Sequence, residues 1–130
     1  MKKTVIHTDQ APLPIGPYSQ AIETSSSQGF LFVSGQIAID PATNELIKGD
    51  VKAEAEQVMK NLAQILKKAG YNFEDIVKTS IFLRDMADFA VVNEVYGAHF
   101  EANPPARETV AVVGLPKNVH VEISVIAAKS

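Results

Sequence analysis

The strongest pattern in the sequence is an amphipathic stretch over residues 51–69. Apolar residues recur there in steps of three and four, which places them on one stripe of a helix. Asp50 stands at the N-cap position, and Gly70 stands where a left-handed residue commonly ends a helix. A helix with one apolar face has to bury that face, so this stretch requires a second layer of structure to pack against.

Strand patterns flank this helix on both sides. Segments that are rich in β-branched and aromatic residues, or that alternate in polarity, are typical of strands. They lie at 30–39, 76–84, 107–114 and 119–128. A second helix is predicted over 86–101, because Pro104 and Pro105 prevent its continuation. The order of elements predicts an α+β fold with two helices on one face of a mixed β-sheet.

Such an arrangement leaves the other face of the sheet without helices. The alternation along the strands places Phe30, Phe32, Phe82 and Ile126 on that open face. A half-apolar open sheet face on a small domain predicts association with other copies of the chain.

Length and charge limit the function classes. The 130 residues are the length of one domain, so we expect a single domain over 1–130. The net charge is −3 and the basic residues are scattered, which argues against binding to nucleic acid or anionic membranes. No apolar run approaches the ~20 residues of a membrane span, and the chain start lacks a signal-peptide pattern. We therefore expect a soluble, cytoplasmic protein.

Several kinds of chemistry are excluded because the sequence lacks the residue types or motifs that they require. The chain has no cysteine, which removes disulfides, thiolate nucleophiles and thiolate metal sites and suits a reducing cytosol. Its three histidines stand apart from one another and from paired carboxylates, so no metal site is predicted. The glycine-rich motifs that bind nucleotide phosphates are absent as well.

Arg107 and Glu122 are the foremost candidates for chemistry. Arg107 follows a rigid Pro-Pro-Ala and begins an apolar strand, and a guanidinium fork is well suited to bind a carboxylate. Glu122 alternates with the aliphatic residues of the last strand and so points to the open face, where a shielded carboxylate can transfer protons. From the pattern alone, an exposed arginine at a strand end and a solvated glutamate on an edge strand remain open alternatives.

Four further residues stand at unusual positions. Tyr18 lies in a Gly-Pro-Tyr-Ser turn, where a half-buried packing role is the alternative. Ser34 lacks an adjacent histidine or aspartate and the nucleophile-elbow motif, so we exclude a serine nucleophile. Gly35 interrupts a strand, which is typical of a bulge or of close approach to a ligand. Asn93 lies on the second helix, where its amide either forms a hydrogen bond across an interface or belongs to a solvated helix face.

Taken together, five segments resemble the Rid (YjgF-like) family in its RidA branch. They match in order and spacing at 15–21, 32–37, 90–96, 104–107 and 121–123. The resemblance implies a chorismate-mutase-like α+β fold of the bacterial trimeric type. It also implies a homotrimer whose three sheets form a central β-barrel, with active-site clefts between neighbouring subunits and no metal or organic cofactor.

The resemblance further implies an activity, the hydrolysis of 2-imino acids or their enamine tautomers, of the 2-aminoacrylate type, to 2-oxo acids and ammonia. It implies that Arg107 binds the substrate carboxylate and that Glu122 holds or activates water at the imine carbon. The cleft lining is implied to include Tyr18, Ser34, Gly35 and Asn93. Thr109 stands where many family members carry cysteine, and its backbone groups are still expected to meet the carboxylate.

Two other functions remain open at this point. A trimer that binds 2-oxo acids without turnover would use the same arginine. An endoribonuclease, an activity implied by some relatives, is disfavoured by the acidic balance and by the absence of a paired histidine site.

Overall fold

The computed structural model describes residues 3–25 and 28–129, which form eight strands and two α-helices. The strands are β1 (Lys3–Ile6), β2 (Ala21–Thr24), β3 (Gly29–Gln36), β4 (Ile39–Asp40), β5 (Glu45–Leu46), β6 (Ile76–Leu83), β7 (Ala106–Ala111) and β8 (Val121–Lys129). The helices are α1 (Val51–Ala69) and α2 (Phe89–Gly97). Neither helix has the length and apolar character needed to cross a lipid bilayer.

Helix α1 has the predicted bounds. The Asp50 side chain accepts the backbone N–H of Ala53 at 3.0 Å, and Gly70 ends the helix in the left-handed region at φ 86°. The centre of the apolar stripe is fully buried: Ala55, Val58, Met59, Leu62 and Leu66 are each at most 1% exposed. At about 25 cal/mol per Å² of apolar surface, a stripe of this kind is a major stabilising term for a domain of this size.

The central sheet has the strand order β3-β8-β6-β7. Strand β8 runs antiparallel to both β3 and β6, whereas β7 runs parallel to β6. Alternate residues of β8 pack in the core with the helices, and these are Val121, Ile123, Val125 and Ala127. The predicted α+β fold, a mixed sheet with both helices on one face, is therefore confirmed.

Two small hairpins complete the fold, β1 with β2 and β4 with β5. Lys3 of β1 connects its hairpin to the beginning of β6, because its Nζ donates to the carbonyls of Glu74 at 3.2 Å and Ile76 at 3.0 Å. Burial lowers the pKa of Lys3, and the nearby carboxylates of Asp75 and Glu74 oppose that shift.

The second helix is shorter than predicted. Regular α-helix covers only Phe89–Gly97, whereas 86–101 was expected. Met86–Asp88 form a 3₁₀ turn. After Gly97 the chain tightens again, since the N–H groups of His99 and Phe100 bond three residues back, at 3.1 Å each. Apolar spacing of three or four does not separate a 3₁₀ turn from an α-helix.

Strand boundaries also differ from the predictions, most of all at three strand ends. Strand β3 has a bulge between Val33 and Gln36 and ends at Gln36 rather than at residue 39, because Ile39 pairs with Leu46 in the separate β4–β5 hairpin. Strand β7 ends at Ala111, and Val113 is fully exposed beyond it. Strand β8 begins at Val121 rather than at residue 119, since the backbone N–H groups of Val119 and His120 donate to the Pro116 carbonyl and to Glu54 and not to a neighbouring strand.

The open face of the sheet carries the predicted apolar residues. Phe30 and Phe32 are 55% and 73% exposed, and their ring centroids lie 6.4 Å apart. Phe82 and Ile126 occupy the same face and are half-buried. This face is large, aromatic and uncovered by the chain itself.

Candidate functional site

Arg107 lies at the beginning of β7, against helix α2. Its Nη1 donates a hydrogen bond of 2.7 Å to Oδ1 of Asn93. Three aromatic rings surround the guanidinium, with centroids 5.2 Å away for Tyr18, 5.3 Å for Tyr96 and 6.0 Å for Phe89. Distances below about 6 Å allow cation–π attraction, so the rings hold the cation in one place.

No carboxylate of the described residues lies within ion-pair distance of Arg107. Burial lowers the pKa of this guanidinium, and the phenol groups of Tyr96 and Tyr18 oppose that shift. A half-buried charge without a counter-ion is costly and favours the binding of an anion. On one side Nη2 lies close to the backbone of the 13–17 loop, since a Cβ at Gly16 would be 3.6 Å from it.

Tyr18 is fixed by that loop. Its Oη accepts the backbone N–H of Ile15 at 3.3 Å, and its own N–H donates to the carbonyl of Gly16 at 2.8 Å. Because Oη acts as an acceptor there, the hydroxyl proton is available for a ligand beside Arg107. Ile15 is 94% exposed and forms the outer edge of this region.

Tyr96 belongs to the site, although the sequence pattern did not predict it there. This residue is 1% exposed, and its hydroxyl donates to Oγ1 of Thr79 at 2.9 Å. Thr79 is the register partner of Arg107 in the β6–β7 pair. Burial raises the pKa of Tyr96 to about 12. A signal was present, because Phe89, Asn93 and Tyr96 are spaced by four and three residues and so share one helix face.

Glu122 lies on the open face, opposite Phe82 in the register of β8 with β6. Its side chain lies directly over the backbone of Gly35. A Cβ built at Gly35 would be 2.6 Å from Cδ of Glu122 and 2.9 Å from its Cγ. Ser34 and Gly35 form the bulge of β3 and are both exposed. The group that closely approaches the Gly35 backbone in this structure is thus the Glu122 side chain.

A single chain does not bring Arg107 and Glu122 together. Arg107 pairs with Thr79, which faces the helices, whereas Glu122 pairs with Phe82, three residues further along β6. An odd spacing along a strand means opposite faces. The predicted site residues therefore form two half-sites: Tyr18, Asn93 and Arg107 on the helix side, and Ser34, Gly35 and Glu122 on the open side.

Thr109 lies two residues after Arg107 and so shares its side of β7. Its Oγ1 is buried and has no hydrogen-bond partner among the described residues. This is an unusual state for a hydroxyl, since most buried polar atoms are paired. The cost is about 1–3 kcal/mol.

Two cavities lie near the surface. A groove of about 380 Å³ adjoins Gly35 and continues between Ile37, Ile39 and Ile65. A larger cavity of about 730 Å³ lies elsewhere, between Lys3 and the rings that follow α2, and shares no lining residue with either half-site. The groove is therefore the one of the two that borders the candidate chemistry. Among the described residues, His, Asp and Glu side chains form no group of three that could hold a metal ion.

Comparison with known proteins decides the family. The Endoribonuclease L-PSP family, which includes the Rid or YjgF proteins, matches residues 8–129. The chain belongs to this family. The resemblance derived from the sequence motifs is thereby confirmed.

Relatives of this Rid-family chain carry different names. A RutC family protein of Pyrococcus horikoshii is 51% identical over 127 residues, which cover 98% of each chain. The 2-iminobutanoate/2-iminopropanoate deaminase of Mus musculus is 44% identical over 127 residues, covering 98% of this chain and 92% of the mouse protein. Escherichia coli TdcF, solved with bound serine, has a TM-score of 0.72 and 40% identity, with 98% of this chain and 99% of TdcF covered.

Proposed function

We propose that this chain hydrolyses 2-imino acids to 2-oxo acids and ammonia, in clefts shared between subunits of a homotrimer. The observation that carries the proposal is Arg107, a half-buried guanidinium with no carboxylate partner among the described residues. The mouse relative named as an imine deaminase and the TdcF relative with bound serine support the same class of substrate, a small molecule with a 2-carboxylate.

Arg107 binds the substrate carboxylate in this proposal. Asn93 accepts a hydrogen bond from one terminal nitrogen of Arg107, and the rings of Tyr18 and Tyr96 restrict the orientation of the guanidinium plane. The remaining donors offer the parallel pair of hydrogen bonds that a carboxylate accepts. Tyr18 adds a hydroxyl donor beside them, and the backbone of Thr109 adds polar groups on the same strand.

Glu122 reaches the same substrate only from another copy of the chain, since it lies on the opposite sheet face. The exposed Phe30 and Phe32 on that face favour such an assembly, because burying them removes apolar surface from water. In the proposed trimer, each cleft combines the Arg107 half-site of one copy with the Glu122 half-site of its neighbour.

The reaction needs one group that accepts and returns a proton. Water adds to C2 of the protonated imine, and its proton passes to the Glu122 carboxylate. The resulting carbinolamine receives that proton on nitrogen, and the C–N bond breaks with its electron pair on nitrogen. The hydroxyl passes its proton to the Glu122 carboxylate as the C=O bond forms, and Glu122 gives this proton to the departing ammonia, which leaves as ammonium. Imines also hydrolyse in water, so positioning and proton transfer are the contributions that the protein has to make.

The test is a coupled assay. A pyridoxal-phosphate dehydratase generates the imine from serine or threonine, and the release of pyruvate or 2-oxobutanoate is followed with and without the purified chain. We expect acceleration by the chain, its loss in Arg107→Ala, and its retention in Lys60→Ala, which removes an exposed cation on α1. Equal rates with and without the wild-type chain would overturn the proposal. Binding of 2-oxo acids without acceleration would indicate a non-catalytic binder, and RNA cleavage lost in the same variants would indicate a ribonuclease.

Mixing inactive variants tests the shared cleft. Copies carrying Arg107→Ala and copies carrying Glu122→Ala, refolded together in equal amounts, should regain about one quarter of the wild-type activity, because that share of clefts receives both intact groups. A site contained within one chain would regain none.

A further inference from the structure

A partly buried side-chain cluster lies outside both half-sites and has no part in the proposed reaction. Glu54, in the first turn of α1, is only 7% exposed, although carboxylates are seldom buried. Both of its oxygens bond to His120, which is 66 residues further along the chain. Oε1 accepts the backbone N–H of His120 at 3.0 Å, and Oε2 bonds to its Nδ1.

Arg84, which directly follows β6, bonds to the other side of the same imidazole. Its Nη2 lies 2.5 Å from Nε2 of His120, and because a guanidinium only donates, Nε2 accepts. The ring proton is therefore on Nδ1 and is donated to Glu54. The backbone N–H of Arg84 also donates to the carbonyl of His120, at 3.0 Å. We refer to Glu54, Arg84 and His120 as the clasp.

The clasp lies at the start of β8, two residues before Glu122. The turn before β8 is irregular, since Lys117 and Asn118 both have positive φ, near 55°, so it does little to fix the position of the strand. Arg84 also reaches into this turn, where its Nη1 donates to the carbonyl of Asn118 at 2.8 Å. All four hydrogen-bonding groups of His120, namely N, O, Nδ1 and Nε2, are thus used by α1 and by the end of β6.

Strand pairing holds Glu122 on one side only. At its position β8 pairs with Phe82 of β6, whereas the pairing with β3 is interrupted by the bulge between Val33 and Gln36 and ends at the Gln36–Ile123 pair, one residue short of Glu122. The Glu122 side chain lies over this bulge, at Gly35. A small shift at the start of β8 would therefore move the carboxylate relative to the bulge, and the clasp is the contact that restrains such a shift from the helix side.

We propose that the clasp is a positioning device for Glu122, which fixes the start of β8 so that the carboxylate meets the reacting water. Glu54, Arg84 and His120 are positioning residues and do not touch the substrate. The inference rests on the proposed function, in which Glu122 transfers the proton. It adds a requirement that the two half-sites do not reveal: a contact of a carboxylate, an imidazole and a guanidinium between the first turn of α1 and the adjoining ends of β6 and β8.

The experiment compares kcat with KM in variants of the clasp. Arg84→Met and His120→Ala should lower kcat for imine hydrolysis by roughly tenfold, since a misplacement of about 1 Å costs up to about a hundredfold. KM should change by less than about twofold, because carboxylate binding depends on Arg107, which belongs to the other half-site and contacts none of the clasp residues. His120→Asn keeps a side-chain N–H for Glu54 and should recover part of the kcat lost in His120→Ala.

Lys3→Met is the matched control, since it removes two hydrogen bonds at the opposite end of β6. It should lower the free energy of unfolding without changing kcat at a temperature where the variant is folded. The inference is overturned if the clasp variants keep the wild-type kcat, or if Lys3→Met reproduces their loss. A wild-type chain without activity would instead overturn the proposed function, and the inference with it.

Discussion

Gly35→Ala separates the placement of Glu122 from the stability of the fold. The new Cβ would lie 2.6 Å from Cδ and 2.9 Å from Cγ of Glu122, whereas carbon atoms in ordinary contact are about 3.5–4.0 Å apart. The carboxylate must therefore move by about 1 Å. Because it is the end of a flexible side chain, the movement should cost only about 1 kcal/mol of the free energy of unfolding, at the low end for overpacking.

The effect on turnover should be much larger. A 1 Å displacement of the group that transfers the proton predicts a fall in kcat of about a hundredfold. KM should stay within about twofold of the wild type, since Arg107 and its ring contacts lie on the other sheet face. Initial rates come from the coupled dehydratase assay at 25 °C, and the free energy of unfolding from urea denaturation followed by circular dichroism.

A double variant provides the control. In the Glu122→Ala background the added methyl group has no carboxylate to displace, so Gly35→Ala should cost little further activity there. Wild-type kcat in the single variant, together with an intact fold, would refute the role of Glu122 placement. An unfolded single variant would refute the conclusion that the neighbour can move.

Three further outcomes are expected. Thr109→Val removes a buried hydroxyl without a partner among the described residues, so it should raise the free energy of unfolding by about 1 kcal/mol, measured in urea; an unchanged or lower value would contradict the burial of Oγ1. The raised pKa of Tyr96, about 12 against 10.0 in the unfolded chain, means that its contribution is complete below pH 10 and is lost between pH 10 and 12. That loss should amount to about 2 kcal/mol and should be absent in Tyr96→Phe, so equal pH dependence in both proteins would contradict it. Phe32→Glu places a charge at a 73% exposed position on the open face, so sedimentation experiments should show a shift from the assembly toward single chains. The far-ultraviolet circular dichroism spectrum should be retained, and unaltered sedimentation would exclude this face as the interface.

Local sequence patterns were sufficient for the helix and for the direction of most side chains. Helix α1 was predictable because its stripe, Asp50 cap and Gly70 end are all encoded within a few residues. The outward direction of Glu122 followed from simple alternation in β8. The end of α2 was not predictable, since the bonds that form its last tight turns follow the same apolar spacing as an α-helix.

Non-local pairings were beyond the sequence patterns. Arg107 and Glu122 lie on opposite faces because of the β6 residues with which they pair. In the β6–β7 pair, the partners are 28 residues apart in the sequence. The interaction of His120 with Glu54 crosses 66 residues, so the histidine looked isolated in the sequence. Tyr96 was not predicted as part of the site, because its partner Thr79 belongs to another element.

The division of the candidate site between two sheet faces has a consequence for the chemistry of a dilute chain. In the proposed assembly, a newly made copy holds an anion-binding half and a proton-transfer half that never meet within it. The fraction of working clefts then follows the mass-action law of association, so specific activity rises with protein concentration until assembly is complete. Any substitution that weakens the contact between subunits through Phe30 or Phe32 would lower turnover, although it changes no reacting group.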